Sequence, residues 1–242
     1  MPNRLRGGAA FGILVEGGVG MVEFVTIDGE IELKAYDNDT TLAALAEELE
    51  SFRKSASGLK TFGCMGCGEC CSDDIPVLGL DLPILLDGLG ISFKQASESV
   101  LILPEKPDIG LRRKAIMEMS TAASISELEA ALLYEYNNAE PIILSKQSAG
   151  ECCFLNSGLC SRYTIRPYSC GLYLCNMGER LSYIQEMLIR QGTWHAYGKL
   201  GWISEAAIAH NPFLKADTYD KLLVSDFEFE LESTLEQLFF YF

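Results

Sequence analysis

With 242 residues and 48% hydrophobic content, the chain can bury a full core as one large domain or a domain with an appended lobe, which excludes a disordered protein. Its formal charge of −15 opposes attraction to nucleic acid or anionic membrane surfaces, because phosphate binding needs clustered Lys and Arg. No run of about eighteen apolar residues occurs, so no membrane span is expected.

Arg4 and Arg6 precede a short apolar run, but Gly12 and Glu16-Gly17-Gly18 break it where a signal peptide needs its apolar core, so the expected location is cytoplasmic. The runs Phe11 to Glu16, Met21 to Ile27 and Glu30 to Tyr36, separated by Gly17-Gly18 and Asp28-Gly29, predict a small antiparallel β-meander. Ile31-Glu32-Leu33-Lys34-Ala35-Tyr36 alternates, as a strand with one covered face should. Asp39 or Thr40 is the expected cap of a helix with Leu42, Leu45, Leu49 and Phe52 at helical spacing, and Ser55 to Gly58 is a short polar linker.

Beyond Cys71, a helix is expected from Asp81 with Pro83 in its first turn and Ile84, Leu85 and Leu89 inward, ending at Gly88 to Gly90. Ser92 and Gln95 have capping-box spacing for a helix toward Leu103. The basic triplet Arg112-Arg113-Lys114 reads as a solvated helix face. Ser126 and Glu129 form another capping box, opening a helix with Leu128, Leu132 and Tyr136 on one face, and Pro141 to Ser145 is an expected strand. A helix from Glu179 to Arg190 with Gly192 as its C-cap follows, and Trp194 to Gly198 reads as a packed surface turn. His195 and His210 read as surface or packing residues with satisfied rings. At the end, Leu231, Leu235, Leu238, Phe239 and Phe242 recur at helical spacing; they either dock on the chain's own core or form a contact with a second copy or a larger partner. The expected organisation is a lobe of meander and helix over 1–60, a cysteine-rich unit over 61–178 and a helical extension over 179–242. The fold class is α+β, mostly helical, with the cysteines on loops.

All nine cysteines fall into two groups: Cys64, Cys67, Cys70 and Cys71 within eight residues, and Cys152, Cys153, Cys160, Cys170 and Cys175 downstream. No apolar core requires that density, and in a reducing compartment an odd number of thiols argues for metal or redox chemistry over a disulfide framework. Thiolates suit soft or borderline metals, and neighbouring glycines allow turns that direct several sulfurs at one centre.

The pattern Cys64-x-x-Cys67-x-x-Cys70-Cys71, followed by Cys153-Phe154-Leu155, Gly158-x-Cys160, Tyr163-x-x-Arg166-Pro167 and Cys170, resembles the CxxCxxCC family, the YkgJ-type zinc- or iron-chelating domain, over roughly Phe62 to Tyr173. By that resemblance the metal-binding thiols are Cys64, Cys67, Cys70, Cys71, Cys153, Cys160 and Cys170. Cys152 and Cys175 are further candidates, either ligands or small core residues. After Cys170 the chain departs from the family pattern, with Gly171-Leu172-Tyr173-Leu174-Cys175.

The spacing of Cys64, Cys67 and Cys70 matches the first three ligands of a ferredoxin-like run, in which a remote cysteine completes a four-iron, four-sulfur cluster; Cys153, Cys160 or Cys170 could supply it. Zinc sites more often pair two short Cys-x-x-Cys knuckles, and the downstream spacings are wider, so iron–sulfur is the first reading and zinc the alternative. Three classes of function follow: an electron carrier or redox subunit whose acidic surface docks a protein partner, an enzyme component using the cluster, or a structural zinc protein that binds other proteins. No glycine-rich nucleotide loop, Ser-His-Asp set or His-Glu metal motif supplies independent catalysis.

Overall fold

The computed structural model describes residues 21–55, 71–172 and 177–228. The expected strand at Phe11 to Glu16, the thiols of Cys64, Cys67, Cys70 and Cys175, and the apolar stripe from Leu231 to Phe242 lie outside the described residues.

Strands β1 (Val22–Ile27) and β2 (Glu30–Tyr36) pair antiparallel. Asp28 and Gly29 both have positive φ, 53° and 91°, the geometry a two-residue hairpin turn requires. Ile31 and Leu33 of β2 point into the core as its alternation predicts, with Phe24 of β1 opposite Leu33; the register shifts at Glu23/Phe24, and Val25, opposite Glu32, is buried as well. Helix α1 (Leu42–Ser55) buries Leu42, Leu45, Leu49 and Phe52 as expected. Its cap is neither Asp39 nor Thr40 but the next residue: the Thr41 hydroxyl accepts from the Ala44 N–H at 3.2 Å.

Helix α2 (Asp81–Leu89) ends on Gly90 in the left-handed conformation, and α3 (Phe93–Ser99) carries the Ser92/Gln95 capping box. In α2, Leu82 and Leu85 face inward while Ile84 is exposed, because this short helix sets Leu82 into the cluster that Leu85 reaches. The segment expected to continue α3 toward Leu103 instead forms β3 (Leu101–Ile102). Helices α4 (Ile109–Ala123) and α5 (Glu127–Asn138) make a hairpin, and β4 (Ile143–Leu144) then pairs antiparallel with β3. Strands β5 (Leu155–Asn156) and β6 (Leu159–Cys160), a 3-10 turn at Tyr163–Ile165 and helix α6 (Tyr168–Leu172) complete the middle of the chain.

Three expectations are corrected. In α5 the buried positions are Ala130, Ala131, Leu133 and Glu135, whereas Leu128 is exposed; the two alanines allow close packing against α4. Arg112 does not belong to a solvated face: it is buried and ion-paired with Glu135, while Arg113 and Lys114 remain exposed. The last long helix, α7 (Glu179–Lys199), runs through Gly192, and Trp194 to Tyr197 are buried helix rather than a surface turn. Gly192 serves close approach: a Cβ there would meet Leu78 side-chain atoms at 3.0 Å, and its carbonyl accepts the Gly79 N–H at 3.1 Å.

The larger core joins β1, β2, α1 and α7 to the 3-10 turns Pro212–Lys215 and Val224–Phe227, with Phe24, Phe52, Phe213 and Phe227 among its rings. A second cluster is built from Ile75, Val77, Leu82, Leu85, Ile142 and Leu144 with the cysteine-bearing loops against it.

Candidate metal centre

All five described cysteines border the second apolar cluster: Cys152 is buried, and Cys71, Cys153, Cys160 and Cys170 are half-buried. The end of the first cysteine run and the start of the second are joined directly, since the Cys152 N–H donates to the Cys71 carbonyl at 2.6 Å. The Cys153 N–H donates to the Ser145 carbonyl at 2.9 Å, continuing from β4 into the loop. Cys160 pairs with Leu155 across the β5–β6 hairpin, whose two turn residues, Ser157 and Gly158, have φ of 51° and 77°. Cys170 lies in α6, where its N–H donates to the Pro167 carbonyl at 3.0 Å and the neighbouring Ser169 hydroxyl donates to the Pro76 carbonyl at 2.7 Å.

The thiols are electrostatically unequal. Hydrogen bonding from the Cys152 thiol lowers Cys153 to about 6, against the upward pull of burial. The Ser145 side chain adds less, and its hydroxyl donates to the Ser99 carbonyl at 3.0 Å. Cys152, the donor in that pair and partly desolvated, is raised. Among the described residues, no three His, Cys, Asp or Glu side chains converge as a complete metal site. Sulfur donors at the joint of two runs nevertheless fit zinc or iron, which bind thiolate well.

Several supporting residues carry no metal-ligand signature and were not legible as site residues. The Gln147 carboxamide donates to the Cys152 carbonyl at 3.0 Å and to the Leu155 carbonyl at 2.6 Å, fixing the loop between them. Lys146 bonds the Ser72 carbonyl at 2.9 Å and pairs with Asp74 at 2.8 Å, bracing the stretch after Cys71. Buried Asp81 accepts from the Leu78 N–H at 2.9 Å, the Tyr168 N–H at 3.0 Å and the Tyr219 hydroxyl at 2.8 Å, so one carboxylate locks α6 against α2. Of these, Asp81 had a sequence signal, an acid at a helix start. Arg166 stacks over Tyr163, 4.0 Å from its ring centroid, and approaches Glu50 at 3.9 Å.

Among the described residues, neither histidine joins a group of three or more potential metal ligands. His210 contacts Glu135 at 3.0 Å. His195 is buried and stacked on Phe213, and among the described residues neither ring nitrogen has a hydrogen-bond partner, so the ring is held by packing; burial, with a smaller push from Lys199, lowers it to about 4. Among the described residues, no helix is long and apolar enough to cross a membrane.

A family model described as "CxxCxxCC: Putative zinc- or iron-chelating domain" matches residues 63–190, more than half of the chain. No curated protein and no solved structure matches.

Proposed function

The chain belongs to the CxxCxxCC family, and from that premise we propose that its two cysteine runs close one iron–sulfur centre, making it an electron-carrying protein or the redox component of a larger enzyme. The proposed ligand set draws on Cys64, Cys67, Cys70 and Cys71 from the first run and on Cys153, Cys160 and Cys170 from the second. The observation that carries the reading is the 2.6 Å bond from the Cys152 N–H to the Cys71 carbonyl, which brings the last thiol of one run beside the first pair of the other.

When bound, such a centre supplies one-electron chemistry without a separate catalytic motif. The chain's own contributions are positional. Gln147, Lys146 and Asp81 hold the three cysteine-bearing segments through hydrogen bonds to backbone, and the apolar cluster behind them lowers the local dielectric around the sulfurs. The acidic surface favours a basic protein partner.

Anaerobically purified protein should be brown, absorb broadly toward the blue and give an EPR signal on reduction. Cys67→Ser and Cys153→Ser should each lose that absorption and iron together. A colourless protein with stoichiometric zinc lost in the same two variants would replace iron–sulfur by zinc and turn the function to protein binding; full metal in Cys153→Ser would break the joint centre.

A further inference from the structure

A cavity of about 110 Å³ opens beside Cys170, lined by Asp74, Ile75, Pro76, Ser169, Gln185 and Ile189 in addition to that cysteine. It is somewhat smaller than the ~150 Å³ apolar cavities that take up benzene, so it admits a molecule of a few heavy atoms. Ile75 and Pro76 from one segment and Ile189 from α7 give it apolar walls.

Its polar groups are not equally available. The Asp74 carboxylate is paired with Lys146 at 2.8 Å, which leaves the rim close to electrically neutral. The Ser169 hydroxyl proton is committed to the Pro76 carbonyl at 2.7 Å, and Cys170 has an interaction of its own. Gln185 is half-buried on α7, and its carboxamide carries no hydrogen bond among the described residues. A carboxamide offers one donating and one accepting edge side by side, which matches another amide in a paired, two-bond contact. A charged ligand would leave water for apolar walls and find no uncompensated counter-charge.

From this geometry we propose that the cleft binds a small, uncharged, branched-chain carboxamide, with its amide on Gln185, its alkyl group on Ile75, Pro76 and Ile189, and one edge against Cys170. That the ligand thereby sits next to a metal centre rests on the function proposed above; the binding itself does not.

The probe is isobutyramide, titrated into the anaerobically purified full chain and followed by ligand-observed NMR, with isobutyrate and isobutylammonium as charged analogues of the same shape. Isobutyramide should bind, and both charged analogues should bind at least about tenfold more weakly, as expected where a buried polar group goes unmatched. Gln185→Leu, which keeps the volume but removes the amide, should weaken isobutyramide by about tenfold at unchanged melting temperature and unchanged metal content. Asp74→Asn, at the exposed rim, should alter it by less than about twofold. Isobutylammonium binding more tightly than the amide, with loss in Asp74→Asn, would overturn the assignment in favour of a cation site. Equal binding of all three probes, or none, would overturn the cleft as a specific site. In the protein that carries metal, isobutyramide should also shift the visible absorption of the centre; binding without any bound metal would retire the metal reading and leave the cleft standing, whereas intact metal without binding would do the reverse.

Discussion

Two apolar clusters lie side by side in this chain and are built on different principles. The larger one is held by mass: a two-stranded hairpin, a long amphipathic helix and α7 bring four phenylalanines and a row of fully buried leucines together. The cluster behind the cysteines has short elements, with β3, β4, β5 and β6 each only two residues long, and among the described residues Phe154 is its one buried aromatic ring. Its backbone is tied by individual hydrogen bonds, donated by Gln147 and Lys146 and accepted by Asp81. A region with so little apolar mass per loop gains most from cross-linking, which is where metal-binding free energy becomes folding free energy.

The largest expected effect follows directly. Stripping the metal with a chelator should raise hydrogen exchange by orders of magnitude at Leu144, Cys152, Cys153 and Leu155, whose amides are bonded within the cysteine region, and leave Val25, Leu33 and Leu45 nearly unchanged. Structural zinc contributes about 10–16 kcal/mol in small domains, so even a fraction of that would open the region locally. Equal loss of protection in both regions would show that they unfold as one unit.

Next in size is the ion pair that fastens α4 to α5 at the edge of the larger core. Glu135 is fully buried, with one carboxylate oxygen on Arg112 and the other on His210, while its carbonyl accepts the Trp194 indole N–H at 3.1 Å. Arg112→Ala should cost about 3–5 kcal/mol in urea unfolding, because it leaves a buried carboxylate short of its charge partner. The double variant Arg112→Met, Glu135→Leu should recover much of that loss; a double variant as unstable as the single one would mean that packing, not charge, dominates there.

What was legible in the sequence divides along the same line. The hairpin turn at Asp28-Gly29, the apolar stripe of α1 and the two capping boxes are local signals, and each stands where the residues predict it. The cysteine pattern marked candidate segments, and the one junction between the two runs among the described residues, the Cys152 N–H to Cys71 carbonyl bond, came from the structure. Reading failed where one residue serves a distant neighbour. Gly192 looks like a helix stop until Leu78 is seen against it, and Arg112 looks solvated until Glu135, on the next helix, is placed beneath it. Gln147 and Asp81 gave no metal-ligand signal because they act on backbone atoms far along the chain.

A smaller effect tests the Asp81 lock between the two regions. Burial pushes this carboxyl from 3.8 up to about 6, although all three of its hydrogen-bond partners donate and so favour the charged form. The folded chain therefore holds the proton more tightly than the unfolded chain does, and the associated stability is present below pH 3.8 and lost as pH rises through about 6. The interval corresponds to about 3 kcal/mol. His195 works the other way: lowered from 6.5 to about 4, it contributes stability above pH 6.5 that is lost as pH falls toward 4. The two slopes oppose each other between pH 4 and 6, so the wild-type profile alone is uninformative. Relative to Asp81→Asn, the wild type should gain about 2–3 kcal/mol on going from pH 7 to pH 4. A constant difference across that range would mean that the Asp81 carboxyl titrates alike in folded and unfolded chains.

The smallest effect is also the sharpest comparison, because it places the same local chemistry in both settings. Ser92 caps α3 in the cysteine region, accepting from the Gln95 N–H at 3.3 Å while the Gln95 side chain accepts from the Ser92 N–H at 2.8 Å. Ser126 caps α5 in the same way, with 3.1 Å to the Glu129 N–H and 2.8 Å for the return bond. Both caps are solvent-exposed, so Ser92→Ala and Ser126→Ala should each cost about 1 kcal/mol in the metal-bound protein. After metal removal the two should part company. Leu133 of α5 packs into the larger core, so Ser126→Ala should still lower the urea midpoint. Ala96 of α3 packs only into the cysteine-side cluster; with that cluster already open, Ser92→Ala should leave the remaining transition where it was. If Ser92→Ala lowers the metal-free midpoint as much as Ser126→Ala does, α3 is still folded with the larger core, and the cysteine region does not depend on its metal as a separate cooperative unit.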